Sequence, residues 1–297
     1  MSSAASYSSV FISPHIDDVV FSCGGALALE VQKDRVLVLD VFSDSGRRTE
    51  KRLAEEAEAA RLFGYEYEAL GFPDSARRDF WGEFPHRMHR FFKPKDEAIL
   101  KQVREKIAAK LSCVSYEKVF FPLGVGLHID HEICFQAAQA FPREKVFYYE
   151  DVPYTLVPGL LEARLLYLSG RLPEIPGRPT LRDIESALPA MEEHLIAGPP
   201  YASLRPGFLK KPLGALIRAF FRRRLRQVEE RSKGKSEVFT AQFYKMNGFF
   251  EKKLQGVFAY ESQWRDFFLS PESAREQLEG YHRSEGTFSE RFWRRIG

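Results

Sequence analysis

Ser9-Val10-Phe11-Ile12-Ser13-Pro14-His15-Ile16-Asp17-Asp18 runs from an apolar stretch straight into one histidine and two acids. The apolar part reads as a short buried strand. The polar trio at its carboxyl end is poorly placed for packing and well placed for metal chemistry. A second apolar run, Val119-Phe120-Phe121-Pro122-Leu123, is followed by His128-Ile129-Asp130-His131. Two such clusters, each where a strand gives way to a helix, point to one active site assembled from both.

The pattern around them decides the fold class. Residues 10–12, 35–42, 67–72, 118–123 and 145–149 read as strands, the third more weakly than the others. Residues 19–32, 50–62, 98–111 and 131–140 carry helical periodicity, with Gly64 as a stop for the second. Gly24-Gly25 predicts a close approach of the first helix to the sheet. Strand and helix alternating over short connections predict an α/β fold, a mostly parallel sheet with helices on both faces. Ligands bind such sheets outside the carboxyl ends of the strands, where both clusters fall. Past Pro153 the texture changes, with many prolines and glycines over 158–212. The chain reads as a single unit over 1–297. It divides into a core at 8–153, an insertion or lid at 154–235, and C-terminal helices at 236–297 that pack back on the core. Residues 212–230 and 237–268 are each expected to be helical.

Composition sets outer bounds. The 297 residues are 44% hydrophobic and include 26 phenylalanines, enough for a sizeable core. A formal net charge of +3 excludes polyanion binding by bulk charge. Cys23, Cys113 and Cys134 have neither paired nor metal-type spacing, which fits a reducing compartment. The start of the chain lacks a secretory pattern, and no apolar run approaches the ~20 residues that span a bilayer. The expectation is a cytoplasmic globular protein.

Catalytic zinc commonly takes three protein ligands of the His/His/carboxylate type and keeps one position for water. His15 and Asp18 are three apart at a strand-to-helix turn, so both can aim at one point, and His131 could be the third ligand. Asp17 then suits a general base, although Asp17 and Asp18 could exchange roles, and Asp18 could cap the helix. His128 could stabilise an oxyanion and protonate a leaving amine, with Asp130 holding its ring and raising its pKa. Two histidines and an aspartate also accept Fe2+, Co2+ or Mn2+. The reaction implied is metal-assisted hydrolysis of an amide or similar carbonyl.

Pro14-His15-Ile16-Asp17-Asp18 paired with His128-Ile129-Asp130-His131 resembles the motif pair of the PIG-L/LmbE-like de-N-acetylases. The resemblance implies a Rossmann-like, zinc-dependent enzyme that removes acetyl groups from N-acetylglucosamine-type sugars or their conjugates. It implies His15, Asp18 and His131 as metal ligands, Asp17 as base and His128 as oxyanion or acid residue. Arg52 with Glu55, Ala59 and Leu62-Phe63-Gly64 is similar to the family's arginine helix, and Gly71-Phe72-Pro73-Asp74 to its next strand-end loop. Both imply substrate contacts, from Arg52 and Asp74. Lys252-Lys253-Leu254, Tyr260-Glu261-Ser262-Gln263 and Ser289-Glu290-Arg291-Phe292 resemble the family's closing helix and tail. Val19 stands where many members carry a glutamate, and the middle of the chain matches nothing in the pattern.

Other features compete. His86-Arg87-Met88-His89 is a rival His-x-x-His pair, but the basic residues around it oppose a cation and suit the rim of a substrate entrance better. The tract at 210–235 holds ten basic residues from Lys210 to Lys235 against two acidic ones, in an amphipathic pattern. It reads as a helix packed on the core with a solvated basic face. The alternative is a surface for an anionic membrane or a lipid-linked substrate. No nucleic-acid motif is present. Phe147-Tyr148-Tyr149 with Glu150-Asp151 reads as a strand ending at the rim of the site, and the alternative is a platform for a sugar. The alternative functions are a hydrolase of another N-acyl or ester group, on a glycolipid or antibiotic intermediate, and a non-catalytic membrane-surface or sugar-binding module with a structural metal.

Overall fold

A computed structural model describes residues 5–78, 89–199, 210–246, 248–284 and 286–296. Five parallel strands come first: β1 (Ala5–Ser13), β2 (Val36–Asp40), β3 (Glu66–Ala69), β4 (Val114–Pro122) and β5 (Val146–Tyr149). Helices α1 (Asp18–Val31), α2 (Thr49–Phe63), α3 (Ser75–Arg78), α4 (Glu97–Ser112) and α5 (Ile129–Ala137) alternate with them. The sheet order is β3-β2-β1-β4-β5, continued by β8 (Thr287–Ile296), antiparallel to β5, and then by β6 (Val238–Lys245), antiparallel to β8. A two-residue strand, β7 (Arg283–Ser284), pairs with β8. The chain winds one way through β1, β2 and β3, then returns to the other side of β1 as β4. The carboxyl ends of β1 and β4 thus flank the topological switch point, the standard crevice of such sheets.

Alternation along the central strands builds two cores. Phe11 and Phe120 face one side, their rings stacked 4.4 Å apart across the β1–β4 register. Val10, Ile12, Val119 and Phe121 face the other. Burying each such side chain contributes about 1.5–3 kcal/mol, so both faces hold the crevice rigid from below. A third apolar cluster lies among α6 (Leu160–Ser169), α7 (Leu188–Ala197) and α8 (Lys210–Ser232).

The C-terminal region departs from the expected long helix at 237–268. Residues 238–245 form β6, and only then come α9 (Phe250–Ala259), α10 (Glu261–Phe267) and α11 (Pro271–His282). Val238, Phe239, Thr240, Phe243 and Tyr244 are β-branched or aromatic, and the residues of this stretch alternate between exposed and half-buried.

Gly24-Gly25 serves a different neighbour from the one expected. A Cβ on Gly25 would lie 2.1 Å from Met246 Sδ, and one on Gly24 would lie 3.2 Å from the Lys253 side chain. Helix α1 breaks at Cys23, whose φ of −137° is not helical. Beyond the break, Glu290 on β8 accepts the N–H groups of Gly25 (3.0 Å) and Ala26 (2.6 Å). Before it, Lys253 donates to the Ser22 carbonyl (3.0 Å) and to Glu290 (2.7 Å). The short helical turn carrying Asp18 is therefore tied down by residues more than two hundred positions away.

Candidate metal centre

The loop after β1 is shaped by strain and by one carboxylate. Asp17 has φ 138° and ψ −31°, a region that non-glycine residues avoid at a cost of order 1–3 kcal/mol. Asp18 does not cap its helix. Its Oδ2 turns back to accept the His15 N–H at 2.8 Å, closing the turn. The same oxygen lies 3.2 Å from His15 Nδ1 and 3.2 Å from His131 Nε2. A tetrahedral ion with bonds of about 2.0–2.2 Å separates its ligand atoms by roughly 3.3–3.5 Å, so this spacing fits a zinc-sized cation.

The outer nitrogens of both rings are engaged by acids. His15 Nε2 lies 2.9 Å from Asp130 Oδ2, and His131 Nδ1 lies 2.6 Å from Asp151 Oδ1. A proton on each of those nitrogens leaves the lone pairs of His15 Nδ1 and His131 Nε2 facing Asp18. Carboxylate partners of this kind fix ligand rings in metal sites. His131 Nε2 is buried without a hydrogen-bond partner. An orphaned nitrogen, a second imidazole and a carboxylate converging on one point form a donor set that fits a divalent cation. His128 is close enough to offer an alternative third nitrogen, within 4.8 Å of the other two histidines. Its Nδ1, however, takes the Asp130 backbone N–H at 3.3 Å.

The electrostatics follow from burial and crowding. Burial opposes charge on His15 and His131, but the acids around them win. Asp130 and Asp18 raise His15 to about 9, and Asp18 and Asp151 raise His131 to about 10. A cation entering the site would displace these protons. Burial, then the Asp18 charge, pushes Asp17 up to about 7 against the opposing pull of Arg52. Burial would raise Asp18 as well, but His131 and His15 hold it far below the carboxylate range. His128 is driven well below its ordinary value, chiefly by burial, with the neighbouring histidines adding to the effect.

One expectation is corrected in part. The Asp130 charge does raise the His128 pKa, but burial outweighs it. The Asp130 carboxylate does not hold the His128 ring; only the residue's backbone N–H does. The carboxylate meets His15, the Ser75 N–H (2.9 Å) and Arg78. His128 is left neutral, with Nδ1 as acceptor and Nε2 as the N–H donor.

The other expected residues fall nearby. Arg52 donates to Ser45 Oγ (2.9 Å) and to Gln263, and its Nε is buried without a partner. Asp74 is buried and accepts the Arg77 N–H (3.0 Å), capping the turn whose Ser75 reaches Asp130. His86 lies outside the described residues. His89 joins the centre, its ring 5.3 Å from both His128 and Tyr154. Tyr149 is a core residue rather than a sugar platform, fully buried and bonded to the Ile12 carbonyl at 2.8 Å.

Sequence reasoning did not single out Arg78 or Tyr154, and it placed Asp151 only at the rim of the site, not beside His131. Asp151 follows a strand end, which was a usable signal. Arg78 and Tyr154 had none, because only folding brings them to the histidines. In the basic tract, Arg218 pairs with Glu192, and Arg222 and Arg226 with Glu185. Three of its ten basic residues therefore meet acids of the same region. No described helix is long and apolar enough to cross a membrane.

Comparison with known proteins adds the following. Residues 10–141 match the family model PIG-L: GlcNAc-PI de-N-acetylase. A 2'-N-acetylparomamine deacetylase of Streptomyces fradiae is 31% identical over 163 residues, which is 49% of this chain and 57% of that protein. The match thus spans little more than half of the curated relative. Among solved structures, a deacetylase of the teicoplanin biosynthesis pathway in its bog complex aligns over 97% of each chain, with TM-score 0.60 and 19% identity. The A40926 pseudoaglycone deacetylase Dbv21 aligns over 97% of this chain and 96% of its own, with TM-score 0.57 and 16% identity. At these identities the likeness is one of fold. Residues 10–141, the part matched by the PIG-L model, carry both histidine–aspartate clusters.

Proposed function

We propose that this chain is a metal-dependent hydrolase that removes the acetyl group from an N-acetylated amino sugar or a conjugate of one. The observation that carries the reading is the convergence of His15 Nδ1, Asp18 Oδ2 and the orphaned His131 Nε2, with the Asp17 carboxyl on the adjoining strained residue. His15, Asp18 and His131 are the proposed ligands, and zinc is the metal that suits them best. A divalent ion held there lowers the pKa of water and polarises a carbonyl oxygen.

The chain's own residues supply the rest. Asp17 accepts the proton of the attacking water and returns it to the nitrogen of the leaving amine as the C–N bond breaks. His128, with its Nε2–H, donates a hydrogen bond to the oxygen on which negative charge develops. Asp130 and Asp151 keep the ligand rings in the tautomers that offer their lone pairs. Arg52 and Asp74 are the proposed contacts to the sugar. The deacetylase activities of the relatives named above accord with this reading, and they leave the particular acetylated sugar open to assay.

The test is release of primary amine from a panel of N-acetylated amino sugars, with and without chelator. Chelation should abolish turnover and zinc should restore it. Asp17→Asn should keep the metal and lose about 10²–10⁴ in turnover, the usual contribution of a general base. A chain that releases no amine from any member while carrying stoichiometric zinc would sink the proposal.

A further inference from the structure

A cavity opens beside the residues that surround His128 and is unlike them in chemistry. Its volume is about 460 Å³, within the range of small-molecule sites. Its walls come from α6, α7 and α8 and are largely apolar, with Val157, Leu160, Leu195, Ile217, Phe220 and Leu225 among them. Two aromatic residues at one end, His89 and Tyr154, are shared with the surroundings of His128. They line the cavity, while their rings pack 5.3 Å and 6.3 Å from His128, and Tyr154 lies 5.5 Å from His131. His89 gives no charge to this junction. Its Nδ1 meets the Gly126 carbonyl at 3.0 Å, and burial holds its pKa down at about 4. Gly126 has φ +80°, and a Cβ there would come within 2.9 Å of the Tyr154 ring, so only glycine lets Tyr154 lie against the histidines.

An acetyl group and one sugar ring give no reason for such a space. The polar contacts expected for a sugar, Arg52 and Asp74, sit by Asp17 and by the turn leading to Asp130, not among these walls. From the apolar walls, and from the two rings that the cavity shares with the surroundings of His128, we infer that it is a subsite for an aliphatic or aryl group attached to the substrate. The inference rests on the hydrolase reading and deepens it. An amino sugar can carry such a group in two ways, as a longer N-acyl chain or as an apolar aglycone. Both present the same chemistry to the cavity.

Two substrate series separate the sources. One varies the N-acyl chain from acetyl to octanoyl on a methyl glycoside. The other keeps the acetyl group and varies the O-alkyl chain from methyl to hexyl. In one series kcat/KM should rise about tenfold or more over five added methylenes, since each buried methylene is strongly favourable. Leu216 is exposed at the lip of the cavity and Phe220 half-buried, so Leu216→Gln and Phe220→Gln should fold normally. Each should cut the long-to-short ratio severalfold.

A readout that needs no turnover accompanies these assays. The neutral fluorophore N-phenyl-1-naphthylamine should bind wild type, be displaced by the long-chain member of one series and not by the methyl acetyl parent, and bind both variants more weakly. Turnover of both series with no dependence on chain length overturns the inference and leaves the hydrolase reading intact. Displacement by a long chain without turnover of any member retains the subsite and removes the hydrolase reading. No displacement and no turnover removes both.

Discussion

Two parts of this molecule concentrate ionisable side chains, and they use them in opposite ways. At the carboxyl ends of β1 and β4, five acids and histidines (Asp17, Asp18, His128, Asp130 and His131) are nearly sealed from solvent. Their partners converge on one point. Along α8 Arg218, Arg222, Arg223 and Arg226 are exposed, and three of them pair across the surface with Glu185 and Glu192. Charge density alone therefore says little. The buried group keeps one nitrogen without a partner and a strained residue beside it, arrangements that cost stability unless something is gained. The helix carries ordinary surface ion pairs, each worth a fraction of a kcal/mol.

The contrast can be broken most decisively at His131. His131→Ala should remove bound metal and at least ~10³-fold of turnover, since the ion supplies several kcal/mol to such reactions. Metal analysis beside the amine-release assay reads both, and retained stoichiometric metal would mean that His128, not His131, completes the site. Next in size is the support beneath the site. Glu290→Ala leaves Lys253 buried without its carboxylate and frees the N–H groups of Gly25 and Ala26. Urea unfolding should show a loss of about 3–5 kcal/mol, the usual cost of breaking a buried pair.

A smaller and more selective effect is expected from Asp151→Asn. It leaves the ligands in place and disturbs only the tautomer and tilt of His131. Competition with a chelator should show metal affinity weakened about 10–100-fold, and unfolding should change little. The smallest effect belongs to the other region. Arg226→Ala should shift stability by less than about 0.5 kcal/mol, because its pairing with Glu185 is exposed. A shift of several kcal/mol there would erase the distinction between the two regions.

The legibility of the site in the sequence follows the same physics. His15, Asp17, Asp18, His128, Asp130 and His131 were all readable, because each sits within a few residues of a strand end whose apolar run announces it. The duty of Asp130 was misread for the same reason. It is next to His128 in sequence, but its carboxylate reaches His15, Ser75 and Arg78 from other loops. Asp151 and Tyr154 lie just past β5, and no local pattern says that they face His131. The strand at 238–245 was taken for helix because its pairing partner, β8, lies some fifty residues later, and β-structure of that range leaves only a weak local imprint.

The sequence by itself determined the parallel α/β core, the switch point and the chemical character of the side chains gathered there. Hydrophobic periodicity and strand-end polarity are local properties. Tertiary structure alone decided which nitrogen of each histidine is free, which acid holds which ring, and that an apolar cavity shares His89 and Tyr154 with the surroundings of His128. Those depend on distances between segments far apart in the chain, set by how the helices of the insertion and the C-terminal strands pack onto the sheet.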